Sequence, residues 1–222
     1  MARDYTSPSP AQTHAQGSTS TRGRSLLLWA ALVIALAIAF LTDGAVMNAL
    51  ASLRNSSLAE FLGNTVRWLG TGYVQVTALL LLIGVSALFR LPSLRPGAWA
   101  LLSFVVSGAA VTILKVLVHR PRPWTEASPA GWSDYLQNSD FHSFPSGETT
   151  TTFAIAFVLG WAYPRWRAPL LGVAAVVAAA RVVVGSHHPS DVLAGAILGM
   201  AVAQLLARLA SRSRGRESAA QT

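Results

Sequence analysis

The chain has 222 residues, 52% of them hydrophobic and only 12% charged, with a formal net charge of +8 and no cysteine. Together with a mean hydropathy of +0.46, that balance lies outside the range of ordinary soluble domains and makes a membrane protein the first expectation. The lack of cysteine excludes disulfides, thiolate catalysis and zinc held by thiolates.

Residues 1–24 are rich in Ser, Thr, Pro and Gln with nothing to pack, and read as a disordered tail. The first long apolar run, Ser25 to Leu41, exceeds the roughly 7 to 15 residues of a signal-peptide core and follows a polar leader, which favours an uncleaved anchor. Asp43 to Gly70 then forms a loop whose apolar residues, among them Val46, Leu50, Phe61 and Leu69, recur at helical spacing. Both an interfacial amphipathic helix and a helix packed on the bundle fit that pattern. Further apolar runs cover Val74 to Phe89, Ala98 to Val118, Thr149 to Trp161, Ala168 to Val184 and Val192 to Leu209. Each reaches or approaches the roughly 20 residues of a bilayer-spanning helix. The expectation is an all-α fold: a six-transmembrane-helix bundle over residues 25–209, with its fourth span shortest, and a basic tail over 210–222.

Short positive flanks stay on the cytoplasmic side of a membrane. With the N-terminus inside, Arg3, Arg22, Arg24, Arg90, Arg95, Arg165, Arg167, Arg208, Arg212, Arg214 and Arg216 lie there, eleven of the seventeen basic residues. Arg54, Arg67, Lys115, Arg120, Arg122 and Arg181 face out. This predicts a multi-pass protein of the cell membrane with both termini cytoplasmic. The net charge follows from topology, so no nucleic-acid partner is expected.

The outer face also gathers the polar motifs. Lys115 ends the third span in KVLVHRPRP; DFHSFPSGET, residues 140–149, opens the fourth; Arg181 ends the fifth and leads into GSHHPSD before the sixth. Taken singly, Lys115, Arg122 and Arg181 suit snorkelling anchors, His187 a cap, Asp191 and Glu148 first-turn acids, and Ser146-Gly147 a turn. Ionisable groups beside apolar helices are costly unless paired or used, so their convergence suggests a site. Arginine forks match phosphate oxygens, lysine adds a point charge, and amides opening a helix at Gly147 add an anion cradle.

Lys115 followed by six residues and Arg122-Pro123, then Pro145-Ser146-Gly147, then Arg181 followed by five residues, His187, three more and Asp191, closely resemble the three signature motifs of the type 2 phosphatidic acid phosphatase family. The resemblance implies a metal-independent membrane phosphatase that acts on phosphorylated lipids at the outer face and needs no cofactor. It implies His187 as the nucleophile, forming a phosphohistidine, with Asp191 fixing its tautomer and steadying the charged ring. Lys115, Arg122, Ser146, Gly147 and Arg181 would hold the phosphate oxygens.

At one position the chain departs from the family: Glu148 stands where a histidine, the general acid for the leaving oxygen, is expected. Three readings stay open: Glu148 is the acid; a diphosphate leaves with little help, or with His142 or His119 in its stead; or turnover fails and the protein captures lipid phosphates without hydrolysing them. Transfer of the phosphate to a second lipid is a further alternative. Trp124, Trp132, Tyr135 and Phe141 border the same loop, as interface aromatics or as guides for the lipid. Glu126, Asp134 and Asp140 match no cation loop, so no metal is expected. Gly195, Gly199 and Ala203 suit close helix packing within one chain or between two, which leaves the oligomeric state open.

Overall fold

The computed structural model describes residues 10–125 and 131–219, and the regular structure among them is helical. Helix α1 runs from Pro10 to Ala49; residues 10–24, expected within a disordered tail, continue it. The chain divides into two compact units, Met1–Ile38 and Ala39–Thr222. The first is the leading part of α1. The second holds everything below.

The sequence reading ended the first span at Leu41, ahead of the charge of Asp43. The helix instead continues through Asp43 to Ala49, because the carboxylate is paired and 4% exposed. Short pieces follow: a 3-10 turn at Ala51–Asn55, α2 at Ser57–Phe61, a π turn at Leu62–Val66 and α3 at Arg67–Gly70. Thr71 breaks this run, and α4, Gly72–Leu88, departs at 46°. The long helices are α5 (Leu94–Val118), α7 (Gly147–Ala162), α8 (Arg167–Val183) and α9 (Pro189–Ala219), with α6 (Trp132–Gln137) in the loop before α7.

Among the described residues, four helices are long and apolar enough to cross a membrane: Leu26–Ala49, Leu94–Val118, Pro164–Val183 and Pro189–Leu209. The bent pair Ser57–Gly70 and Gly72–Leu88 makes a fifth if it counts as one span. The fourth expected span, Thr149–Trp161, falls inside α7, a helix of 16 residues. With exposed Leu80, Leu81, Ile113, Leu117, Val176 and Leu205 on the outer faces of these helices, this is a multi-pass membrane protein.

Helix α7 is the central element, packed on α5, α8 and α9. Its first turns carry four consecutive buried threonines, Thr149 to Thr152. Thr150 Oγ1 donates to the Ser146 carbonyl at 2.8 Å, and Thr152 Oγ1 to the Glu148 carbonyl at 2.6 Å. The hydroxyls thus satisfy themselves within the helix instead of remaining orphaned in the core. Helix α9 meets this face through its small residues. A Cβ at Gly195 would stand 2.7 Å from the Ser146 carbonyl oxygen, and one at Gly199 only 2.2 Å from that of Thr150. The small-residue stripe is therefore consumed inside the chain, as close helix approach requires. Leu79, Ala100, Val158 and Ala203 form the apolar cluster below it.

Candidate active site

The site is assembled where α5 ends, α7 begins and the α8–α9 turn passes between them. At the end of α5, His119 adopts a left-handed conformation (φ 50°) and donates its N–H to the Lys115 carbonyl, closing the helix as a C-terminal cap does. The RPRP segment then lies along residues 140–143: Arg122 N–H donates to the Asp140 carbonyl at 2.8 Å, and Ser143 N–H to that of Arg120 at 2.9 Å. Lys115 Nζ donates to the His142 carbonyl, and its Cε would lie 3.8 Å from a Cβ on Gly147. Lys115 is thereby held beside the start of α7.

The α8–α9 turn is built on its own sequence. Gly185 takes a φ of +73°, which glycine adopts without strain, and a Cβ there would meet Arg54 Nε at 3.1 Å. His188 caps α9, Pro189 occupies the first helical position, and Asp191 Oδ2 accepts the His188 N–H at 2.8 Å. This is the reciprocal half of a capping box. The Ser186 and His187 N–H groups both donate to the Arg181 carbonyl, at 2.9 and 3.1 Å, which ties the turn to the end of α8.

His187 is 3% exposed. Its Nδ1 lies 2.9 Å from the Ser143 carbonyl oxygen and 3.6 Å from Asp191 Oδ2. The acceptor for Nδ1–H is thus the Ser143 carbonyl, and Asp191 acts on the ring as a nearby charge. A proton on Nδ1 leaves the Nε2 lone pair free. Burial lowers the His187 pKa to about 4; Asp191 opposes the shift, while Arg122 and Lys115 add to it. The ring is neutral at physiological pH.

Asp191, fully buried, is the hub. Its Oδ2 accepts from Ser143 Oγ at 2.5 Å, its Oδ1 from Arg120 at 2.7 Å, and its carbonyl from the Ser146 N–H at 3.0 Å. Arg120, grouped from sequence with Lys115 and Arg122 at the end of the third span, spans from Asp191 to Asp43, with its NH2 group 2.7 Å from Asp43 Oδ2. Asp43 also accepts from the Ser190 N–H at 2.9 Å and from Ser190 Oγ.

Among the described residues, the Arg122 side chain donates to two carbonyls, Ser139 at 3.0 Å and Ser186 at 3.3 Å, and lies 5.1 Å from the Trp124 ring. Desolvation lowers its pKa, with the carboxylates of Asp140, Glu148 and Asp191 opposing. Arg181 Nε stands 3.0 Å from Glu148 Oε2, close but without hydrogen-bond alignment. Gly70 backs Glu148: a Cβ there would lie 3.1 Å from the same oxygen. Ser146 precedes α7 without a side-chain cap, leaving the first-turn amides to an anion. All eight residues expected from the sequence therefore converge. Ser143, Asp43 and Ser190 were not expected from the sequence, and Arg120 was grouped with the cations of the site without a role; an aspartate directly after an apolar run was the available signal for Asp43.

The His119 ring packs on Trp132 at 5.1 Å. Glu126 lies outside the described residues, as do the side chains of Asp134 and Tyr135. An apolar cavity of about 260 Å³ between α4, α7 and α8 is lined by Leu69, Leu79, Thr152, Ile155, Leu170 and Val173, among others. Thr152 lies one turn beyond Glu148.

The chain is 34% identical over 105 residues to a lipid A 1-phosphatase of Rhizobium johnstonii, covering 46% of this chain and 43% of that protein. It is 30% identical over 141 residues to a probable diacylglycerol pyrophosphate phosphatase 1 of Schizosaccharomyces pombe, covering 49% of this chain and 50% of the relative. The chain thus spans about half the length of the curated relatives it matches. The crystal structure of Aquifex aeolicus LpxE superimposes with a TM-score of 0.58 at 25% identity, over 75% of this chain and 94% of that one. A transmembrane PAP2-type phosphatidylglycerolphosphate phosphatase from Bacillus subtilis shares the fold, with a TM-score of 0.63 at 24% identity over 85% of this chain and 95% of that one. Residues 96–214, more than half of the chain, match the PAP2 superfamily, and the chain belongs to it.

Proposed function

We propose that the protein is a membrane phosphatase of phosphorylated lipids, working through a phosphohistidine on His187 without a metal. The observation that carries this reading is the setting of His187: neutral, with Nδ1 held by the Ser143 carbonyl, among cations that have few anionic partners of their own. Among the described residues, the side chains of Lys115 and Arg122 bond only backbone carbonyls. Their charge and the α7 amides are free to meet a phosphate.

In this mechanism Lys115, Arg122, Arg181, Ser146 and the Gly147 amide hold the phosphate oxygens and stabilise the charge that spreads over them. The Nε2 lone pair of His187 attacks phosphorus, the N–P bond forms, and the bond to the leaving oxygen breaks. The ring becomes positive, and Asp191 stabilises it across 3.6 Å while fixing Ser143. Water then attacks the phosphohistidine, releasing phosphate and restoring the neutral ring.

Glu148 faces the leaving side as the proton donor for a monoester. Its position on Arg181 favours substrates that ask little of a donor, such as a lipid diphosphate, whose leaving phosphate is far less basic than an alkoxide. The apolar cavity beside Thr152 is the seat for the lipid chain. Six helices cross the membrane, α7 among them, with both termini cytoplasmic and the site at the outer face.

The test is phosphate release by purified protein in detergent with EDTA, on lipid A, diacylglycerol pyrophosphate, phosphatidic acid and undecaprenyl pyrophosphate. Release by native protein and its loss in His187→Ala are expected, with an acid-labile phosphoenzyme trapped from labelled lipid. Undiminished release by His187→Ala would overturn the mechanism. Inert native protein that still binds these lipids would make it a lipid-phosphate carrier.

A further inference from the structure

Asp191 does not stand alone beneath His187. Arg120 joins it to a second buried carboxylate, Asp43, on α1, with guanidinium contacts of 2.7 Å to each. The Phe40 ring covers the guanidinium at 4.9 Å and itself packs on Phe144 at 5.4 Å. Ser190 is held by both ends of the bridge, its hydroxyl accepting from Arg120 at 2.6 Å and its N–H donating to Asp43. Arg120 also accepts the Ser143 N–H with its carbonyl, and Ser143 is the residue whose own carbonyl holds Nδ1 of His187.

Charge decides what this arrangement does. Arg120 and Asp191 alone would cancel and leave nothing to oppose the positive ring that forms on attack. Two carboxylates around one guanidinium leave a net negative unit in a dry setting, where such a charge acts strongly. A buried pair without its partner is costly. Removing Arg120 would set two carboxylates against each other, and removing Asp43 would let Arg120 neutralise Asp191 outright.

We propose that Asp43 and Arg120 are positioning residues of the phosphatase reaction: together they hold the Asp191 carboxylate and the Ser143 carbonyl and supply the negative charge that the phosphorylated His187 ring requires. This inference rests on the phosphatase reading above. Because the ring is neutral in the resting protein and positive only once attack begins, the pair acts on the chemical step and not on substrate capture.

The test is steady-state kinetics on dioctanoyl phosphatidic acid in detergent for native protein, Asp43→Asn, Arg120→Lys, Arg120→Gln and the double variant Asp43→Asn/Arg120→Gln. Expected are a fall in kcat of about tenfold for Asp43→Asn with KM within about twofold. A smaller loss is expected for Arg120→Lys than for Arg120→Gln, and the double variant should be little worse than Arg120→Gln, as members of one unit behave. Asp43→Asn and Arg120→Lys keep the test decisive if Arg120→Gln does not fold. An active native protein whose kcat is indifferent to Asp43→Asn, or whose losses fall on KM or add independently, overturns this inference and leaves the phosphatase reading standing. Native protein inert on every lipid overturns both.

Discussion

Glu148 Oε2 rests 3.0 Å from Arg181 Nε, so this carboxylate occupies one of the cations proposed to bind phosphate. An incoming phosphate must share that guanidinium with Glu148. Substituting Glu148→Gln removes the competing charge, and KM for a lipid phosphate should fall about threefold, the scale of a weakly screened ion pair near a surface. On a lipid monophosphate kcat should fall about tenfold or more as the proton donor is lost, whereas on a diphosphate it should change little. Parallel kinetics on phosphatidic acid and diacylglycerol pyrophosphate check this; equal losses on both would remove the donor role.

His187 sets the response to acid. Its pKa is about 4 in the folded protein, against about 6.5 for an ordinary histidine. The nucleophile therefore stays unprotonated well below neutrality, and kcat/KM should show no limb from this residue until pH approaches 4. Stability should move the other way. Between pH 6.5 and 4 the unfolded chain takes up a proton that the folded ring refuses, so this group's contribution to stability falls as pH falls through that window. Thermal melts in detergent at pH 7, 5.5 and 4.5, compared with His187→Gln, should show a smaller acid loss in the variant.

The α7–α9 contact admits no side chain at Gly199. A Cβ 2.2 Å from the Thr150 carbonyl oxygen would force the helices apart, and since the first turn of α9 carries Asp191, the separation would reach the site. Gly199→Ala should lower the melting temperature by more than 5 °C and abolish phosphate release. A variant with native stability would show that the helices tolerate the shift.

Filling the cavity lined by Ile155, Leu170 and Val173 tests the seat of the lipid chain. Val173→Trp should raise KM about fivefold for a long-chain phosphatidic acid and leave a dibutanoyl analogue within about twofold. Equal effects on both chain lengths would place the lipid elsewhere.

The sequence disclosed residues whose side chains the structure gathers at the candidate site. Lys115, Arg122, Arg181 and His187 combine costly groups with apolar neighbours and fixed spacing, and those are properties a string of letters preserves. Ser143 left no such trace, because its contribution to His187 is a backbone carbonyl, which every residue type offers. Asp43 was visible but misjudged: a charge after an apolar run reads as a helix end, and its pairing with Arg120, 77 positions away, and with Ser190 lets α1 continue past it. The stripe of Gly195 and Gly199 was compatible with a dimer until Ser146 and Thr150 were found against it.

The brevity of α7 has a consequence for how a lipid arrives. Sixteen residues rise about 24 Å, less than the roughly 30 Å of a hydrocarbon core. Its far end carries Trp161 and is followed by Tyr163 and Trp166 with Arg165 and Arg167, the kind of girdle that pins a helix at the water boundary. The deficit of about 6 Å then falls at Gly147. On the topology proposed above, the amides there would open into a well sunk beneath the level of neighbouring headgroups, and a lipid would reach it by dipping out of its own leaflet plane. Depth itself would then act as a filter: a small headgroup on a flexible tail would descend, and a bulky one would be stopped at the rim.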